Sequence, residues 1–105
     1  MIVVSFIFKP AKLDRSFEQL NEKIDTIAQS TEGFLGTKSW EDSEGNRAVM
    51  YYWTDREALR TFESDPTHKL AKSRYQEWYE GYRVEISEII HVYGDHYFDD
   101  LFPAM

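Results

Sequence analysis

Three groups of side chains in this chain are of types that can do chemistry, and His68 is the first. It follows Asp65-Pro66, a helix-start signal with Asp as the cap and Pro in the first turn. That puts His68 near the third helical position, where the positive end of the helix dipole disfavours a second positive charge. A neutral imidazole there accepts a proton from an acidic phenol or hydroquinone, or ligates a metal, when it faces a cavity. Facing solvent, it only bonds the helix start. The second group is aromatic: Tyr51, Tyr52, Trp53, Tyr75, Trp78, Tyr79 and Tyr82 crowd three predicted elements. Such rings are ordinary core material, yet Tyr and Trp carry polar tips that need partners once buried. The same set therefore also suits the wall of a pocket for a flat apolar ligand. The third group joins His91 and His96 to Asp95, Asp99 and Asp100. Their spacing across Gly94 matches no ligand pattern, so a solvated strand end is expected rather than a metal site.

Other chemistries lack their residues. The five glycines are scattered among turns and strand interiors, so there is no phosphate-cradling loop, and there is neither a His-x-x-x-His helix nor a nucleophile elbow. The absence of cysteine excludes disulfides, thiolate metal sites and Cys nucleophiles, and it fits a reducing compartment, the cytoplasm. A net charge of −7 opposes the basic stripe that nucleic acid or anionic lipid requires, so neither polynucleotide nor membrane is an expected partner. No window approaches a membrane-spanning length, and the apolar N-terminus lacks the basic segment and cleavage site of a signal peptide.

The elements that must position these residues follow from periodicity. Residues 2–8 are almost continuously apolar, as in a strand buried on both faces. Leu13, Phe17, Leu20, Ile24, Ile27 and Ala28 recur at helical spacing with charges opposite, predicting an amphipathic helix that ends near Thr31-Glu32-Gly33. Phe34 to Glu41 and Ala48 to Trp53 flank the turn residues 42–46 and read as a hairpin. Thr54-Asp55-Arg56-Glu57 has the spacing of a capping box with Thr54 as cap. From Asp65-Pro66 one helical face runs through Leu70, Ala71, Tyr75, Trp78 and Tyr79, with Gly81 available to end it. Tyr82 to Val92 then alternate as a long final strand.

The order β-α-β-β-α(α)-β predicts one α+β domain over residues 1–94: a ferredoxin-like, four-stranded antiparallel sheet, first strand central, helices on one face. A chain of this length buries only about two-thirds of its unfolded surface, and no further element is left to cover the second sheet face. A second copy is the obvious cover, so a homodimer is expected. Residues 95–105 carry five large apolar side chains, too many for a free tail, and should dock on their own subunit or its partner.

Tyr52-Trp53-Thr54-Asp55-Arg56-Glu57-Ala58-Leu59-Arg60, then Asp65-Pro66-Thr67-His68-Lys69, then Trp78-Tyr79-Glu80-Gly81-Tyr82-Arg83-Val84 and finally Val92-Tyr93-Gly94 form a set. Together they resemble the antibiotic biosynthesis monooxygenase family of dimeric α/β barrels. The resemblance implies a ferredoxin-like subunit whose sheet pairs with a second copy. It also implies oxidation of a small phenol or quinol by molecular oxygen without a cofactor, in a cavity between sheet and helices. Carried onto this chain, the cavity would be lined by Trp53, Tyr75, Trp78, Tyr79 and Tyr51, with His68 as the base. A sister group degrades haem with an Asn on strand one, a Trp closing strand three and an axial His. Trp53 matches, but strand one has no Asn, and the axial position falls near Ala71 rather than on His68. The alternative from another class is a non-catalytic dimer that binds or senses a hydrophobic metabolite.

Overall fold

The computed structural model describes residues 1–102. Its elements are β1 (Ile2–Pro10), α1 (Arg15–Ser30), β2 (Phe34–Glu41), β3 (Arg47–Trp53), α2 (Arg56–Glu63), α3 (Pro66–Ser73), α4 (Tyr75–Trp78) and β4 (Tyr79–Glu88). The strands form one antiparallel sheet in the order β2-β3-β1-β4 with β1 inside it, the ferredoxin-like α+β arrangement that the sequence predicts.

Strand register decides which side chains meet the helices. Ile2 lies opposite Trp53, Val4 opposite Tyr51 and Phe6 opposite Val49, while Val84 and Ile86 of β4 flank Phe6 and Val4 on the other side. Because alternate residues share a face, these rings and branched chains all point one way. Ile2 and Trp53 pack there with Ala28 of α1 and with Ala58, Leu59 and Phe62 of α2 as the buried core. Each helix of the pair begins at an aspartate: Asp14 accepts from the Phe17 amide at 3.0 Å and Asp55 from the Ala58 amide at 2.9 Å.

Asp55 therefore caps α2, and the capping box predicted from Thr54 is not formed. The cause is tertiary. The Thr54 amide donates to the Gly33 carbonyl at 2.8 Å, which ties the chain leaving β3 to the turn after α1. Gly33 adopts a φ of +94°, and a Cβ there would lie 2.6 Å from both Ala58 Cβ and Thr54 Oγ1. No other residue fits both the left-handed backbone and the close approach.

Two further boundaries differ from the periodicity. The helix expected to run from Pro66 to Gly81 breaks at Arg74, and β4 begins directly after Trp78, with Pro10 opposite Tyr79 and Lys9 opposite Gly81. Gly81 is thus a strand residue and not a helix stop. At its far end β4 stops at Glu88 opposite Ile2, with one more bond from the Ile89 amide to the Met1 carbonyl at 2.9 Å. Alternation continues to Val92, but the last ladder pair is Ile2 with Glu88, so periodicity alone runs past the paired part of the strand.

The sheet face turned away from the helices carries Val3, Ser5, Ile7, Met50 and Tyr52. Part of its cover comes from within the chain. Phe102 lies 6.3 Å from the Tyr52 ring and 6.5 Å from the Trp40 ring, with the Lys38 ammonium 5.5 Å from its centre. Val3 and Tyr52 are buried, while Ser5, Ile7 and Met50 stay half-buried and Trp40 is 55% exposed. Of the C-terminal segment expected to dock, residues 103–105 lie outside the described residues.

Candidate active-site cavity

Between the helix layer and the sheet lies a cavity of about 430 Å³. The sheet contributes Val4, Phe6, Tyr51 and Trp53 to its wall, since these are the β1 and β3 residues whose register points them at the helices. Helix α2 adds Leu59 and Phe62, helix α3 adds His68 and Ala71, Tyr75 and Tyr79 stand beside β4, and the exposed Tyr82, Val84 and Ile86 of β4 line an open side. The cavity thus brings together Tyr51, Trp53, His68, Tyr75 and Tyr79 of the predicted site residues.

Trp78 is placed elsewhere. It is 2% exposed, packed edge-on against Phe17 at 5.5 Å, with the Arg74 guanidinium 4.7 Å over its ring. Its carbonyl accepts from the Ala11 amide at 2.8 Å. The reason is the early end of α4: once β4 begins at Tyr79, Trp78 and Tyr79 face different ways, and only Tyr79 reaches the cavity. Trp78 fastens the helix layer to the end of β1 and does not line the cavity.

Two polar atoms beside the cavity have no hydrogen-bond partner although buried: His68 Nδ1 and Trp53 Nε1. A buried unpaired donor or acceptor is costly, and Trp78 Nε1, away from the cavity, is unpaired in the same way. His68 stands 4.9 Å from the Phe62 ring. Burial, then the nearby Lys72 ammonium, holds its pKa below the ordinary imidazole value, against a smaller opposing pull from Glu63 and Asp65. The imidazole is therefore neutral near pH 7 and free to accept a proton.

The two half-buried phenols shift the other way. Burial pushes the Tyr79 hydroxyl up to about 12 and the Tyr51 hydroxyl higher still, the latter reinforced by the Asp25 carboxylate. Both stay protonated and act only as hydrogen-bond donors or acceptors. One neutral imidazole and two protonated phenols among the lining of an apolar, ring-rich space are groups that can bind a phenolic ligand and take its proton.

Asn21 of α1 also lines the cavity and was not singled out by the sequence reading. Its signal was present: Phe17, Asn21, Ile24 and Ala28 follow at helical spacing, so an amide interrupts the inward apolar stripe. Glu63 and Lys72 are likewise at the wall, on the outer turns of α2 and α3. The polar residues of the last segment do not converge: His96 pairs with Asp99 at 2.8 Å, and His91 lies beside Tyr93. Among the described residues no three His, Asp or Glu side chains gather as a metal ion would need. No helix among them is long and apolar enough to cross a membrane.

Known proteins resemble this chain in sequence or in fold. The chain is 26% identical over 77 residues to the uncharacterised protein YqjZ of Bacillus subtilis, covering 72% of this chain and 68% of that one. The crystal structure of SnoaB, a cofactor-independent oxygenase from Streptomyces nogalater, superposes with a TM-score of 0.70 at 12% identity, covering 87% of this chain and 94% of that chain. A structure described as an antibiotic biosynthesis monooxygenase superposes with a TM-score of 0.68 at 13% identity, covering 87% of this chain and all of that one (100%). At these identities the structures establish the fold, which is that of the antibiotic biosynthesis monooxygenases the sequence resembles. Residues 4–98 match the family described as monooxygenase af470-like, a span that runs from β1 past the end of β4, and to that family the chain belongs.

Proposed function

We propose that this protein is a cofactor-independent monooxygenase that oxidises a small phenol or quinol with molecular oxygen. The observation that carries the reading is His68: a neutral imidazole with an unpartnered buried nitrogen, set in the wall of an aromatic cavity large enough for a small aromatic ring system. Membership of a monooxygenase-like family supports it. In this reading His68 takes the phenolic proton, and the electron-rich anion passes an electron to oxygen. The resulting radicals combine at a ring carbon. That carbon then loses its hydrogen, one oxygen atom stays as a carbonyl and the other leaves as water, so the substrate supplies every electron that oxygen takes up. The Tyr51 and Tyr79 hydroxyls hold the anion, and the surrounding rings keep water from it.

Oxygen uptake by purified, metal-free protein is the direct test. Against a panel of hydroquinones and polycyclic phenols, at least one compound is expected to consume oxygen well above its own autoxidation rate. Uptake no faster than autoxidation across the panel would remove the oxygenase reading and leave a binding protein.

The half-buried Ile7 and Met50 and the exposed Trp40 on the other sheet face support a homodimer in which a second copy covers what Phe102 does not. Sedimentation equilibrium should then give twice the mass of the chain; a monomer at micromolar concentration would refute this assembly.

A further inference from the structure

A second hollow, of about 420 Å³, lies beside the cavity on the same face of the sheet. The two share Phe6, Asn21, Tyr51 and Tyr79 as a common boundary. Their chemistry differs. The inner cavity is walled mostly by hydrocarbon and holds His68, with Glu63 and Lys72 at its wall, whereas the outer one has Ser39 and the facing pair Glu41 and Arg47 from the far ends of β2 and β3.

We propose that the outer hollow is a second binding subsite, which takes an uncharged hydrogen-bonding substituent, a hydroxyl or primary amide, on an aromatic ligand whose ring occupies the inner cavity. The proposal rests on the inner cavity being the ligand site argued above. The choice of substituent follows from the charges. Arg47 Nε stands 4.0 Å from Glu41 Oε2, and both side chains are about half exposed, so the pair presents a donor and an acceptor with no net charge. An ionic substituent attracted by one partner is repelled by the other, and it gives up its own hydration on entering. A neutral amide or hydroxyl accepts from the guanidinium, donates to the carboxylate and costs less to desolvate. The shared boundary carries the Phe6 ring together with Asn21, Tyr51 and Tyr79, so the linking atoms of such a ligand pass among these four side chains.

Val49 of β3 lies between Phe6 and Ser39 in the ladder and lines only the outer hollow, as do Glu41 and Arg47. Val49→Phe therefore fills the subsite, and the double variant Glu41→Ala with Arg47→Ala removes its polar pair from exposed positions without touching the core. The test is equilibrium binding, followed by tryptophan fluorescence, of 2-naphthol, 6-hydroxy-2-naphthamide and 6-hydroxy-2-naphthoate. The unmodified protein should bind the amide about tenfold more tightly than either other probe, as one or two additional hydrogen bonds would give. In both variants the preference should shrink to within about twofold while 2-naphthol keeps its affinity. No binding by any probe, no preference for the amide, a preference for the naphthoate, or a preference that survives the double variant would overturn the subsite. Binding with the expected preference but without oxygen uptake supports the subsite and removes only the oxygenase reading.

Discussion

His68→Ala is expected to lower turnover of a quinol substrate by about 10²- to 10⁴-fold, the usual cost of losing a positioned general base. The fold should survive, because α3 buries none of its side chains and is held by the Asp65 cap, whose carboxylate accepts from the Thr67 amide at 2.8 Å. Circular dichroism and melting of the variant next to the parent protein separate lost chemistry from lost structure. The pH profile adds an independent readout. Burial and Lys72 hold the imidazole pKa below its ordinary value of 6.5, so the acidic limb of kcat/KM should fall below pH 6.5. Lys72→Ala removes a repelling charge and should move that limb upward. The same shift acts on stability. The folded state binds its proton less readily than the unfolded chain, so this contribution is complete above pH 6.5 and is lost as pH drops through the lowered value. Turnover of His68→Ala within about threefold of the parent would exclude His68 as the base.

Trp53→Ala should cost about 3–5 kcal/mol of folding stability, a large share of what a domain of this size possesses. Trp53 is wholly buried, with its ring 5.0 Å from Phe62 and 5.1 Å from Phe34, and it joins the sheet to α1 and α2 through Ala28 and Ala58. Removing the indole leaves a void between two layers that cannot close over it, because Gly33, Thr54 and Ala58 already touch. Trp53→Phe is the informative companion: it keeps a ring against both neighbours and deletes the buried Nε1 that lacks a partner. It should therefore lose far less stability than the alanine variant. If the indole N–H serves a bound ligand, Trp53→Phe will still raise KM, which separates the two duties of this residue. Chemical denaturation that places Trp53→Ala within about 1 kcal/mol of the parent would show that the core does not depend on it.

Much of the fold was legible because it rests on local period and capping chemistry. The apolar run of β1, the helical stripe of α1, the hairpin around residues 42–46 and the Asp65-Pro66 start each stand in the structure where periodicity puts them. The boundaries that went astray were those set by distant partners. Thr54 lost its capping role to Asp55 because its amide is claimed by Gly33, and β4 ends at Glu88, where its pairing with Ile2 of β1 ends. The site divides the same way. Trp53 and Tyr51 could be assigned to one wall from strand alternation, and His68 could be suspected from its place at a helix start.

By itself the sequence determined the element order, the ferredoxin-like class and the residue types able to act as a base beside aromatic rings. Those follow from side-chain spacing within single elements, which a linear pattern records. Only the tertiary structure decided which of those residues meet. It turned Tyr79 into the cavity and Trp78 away from it, set Asn21 on the boundary of two hollows, and laid Phe102 against Tyr52 on the opposite face of the sheet. Each of these depends on where a helix yields to a strand or on how separate elements stack. Val4, Asn21, Tyr51 and His68 meet in the cavity from separate elements of the chain, and their juxtaposition is fixed by packing rather than by any local period.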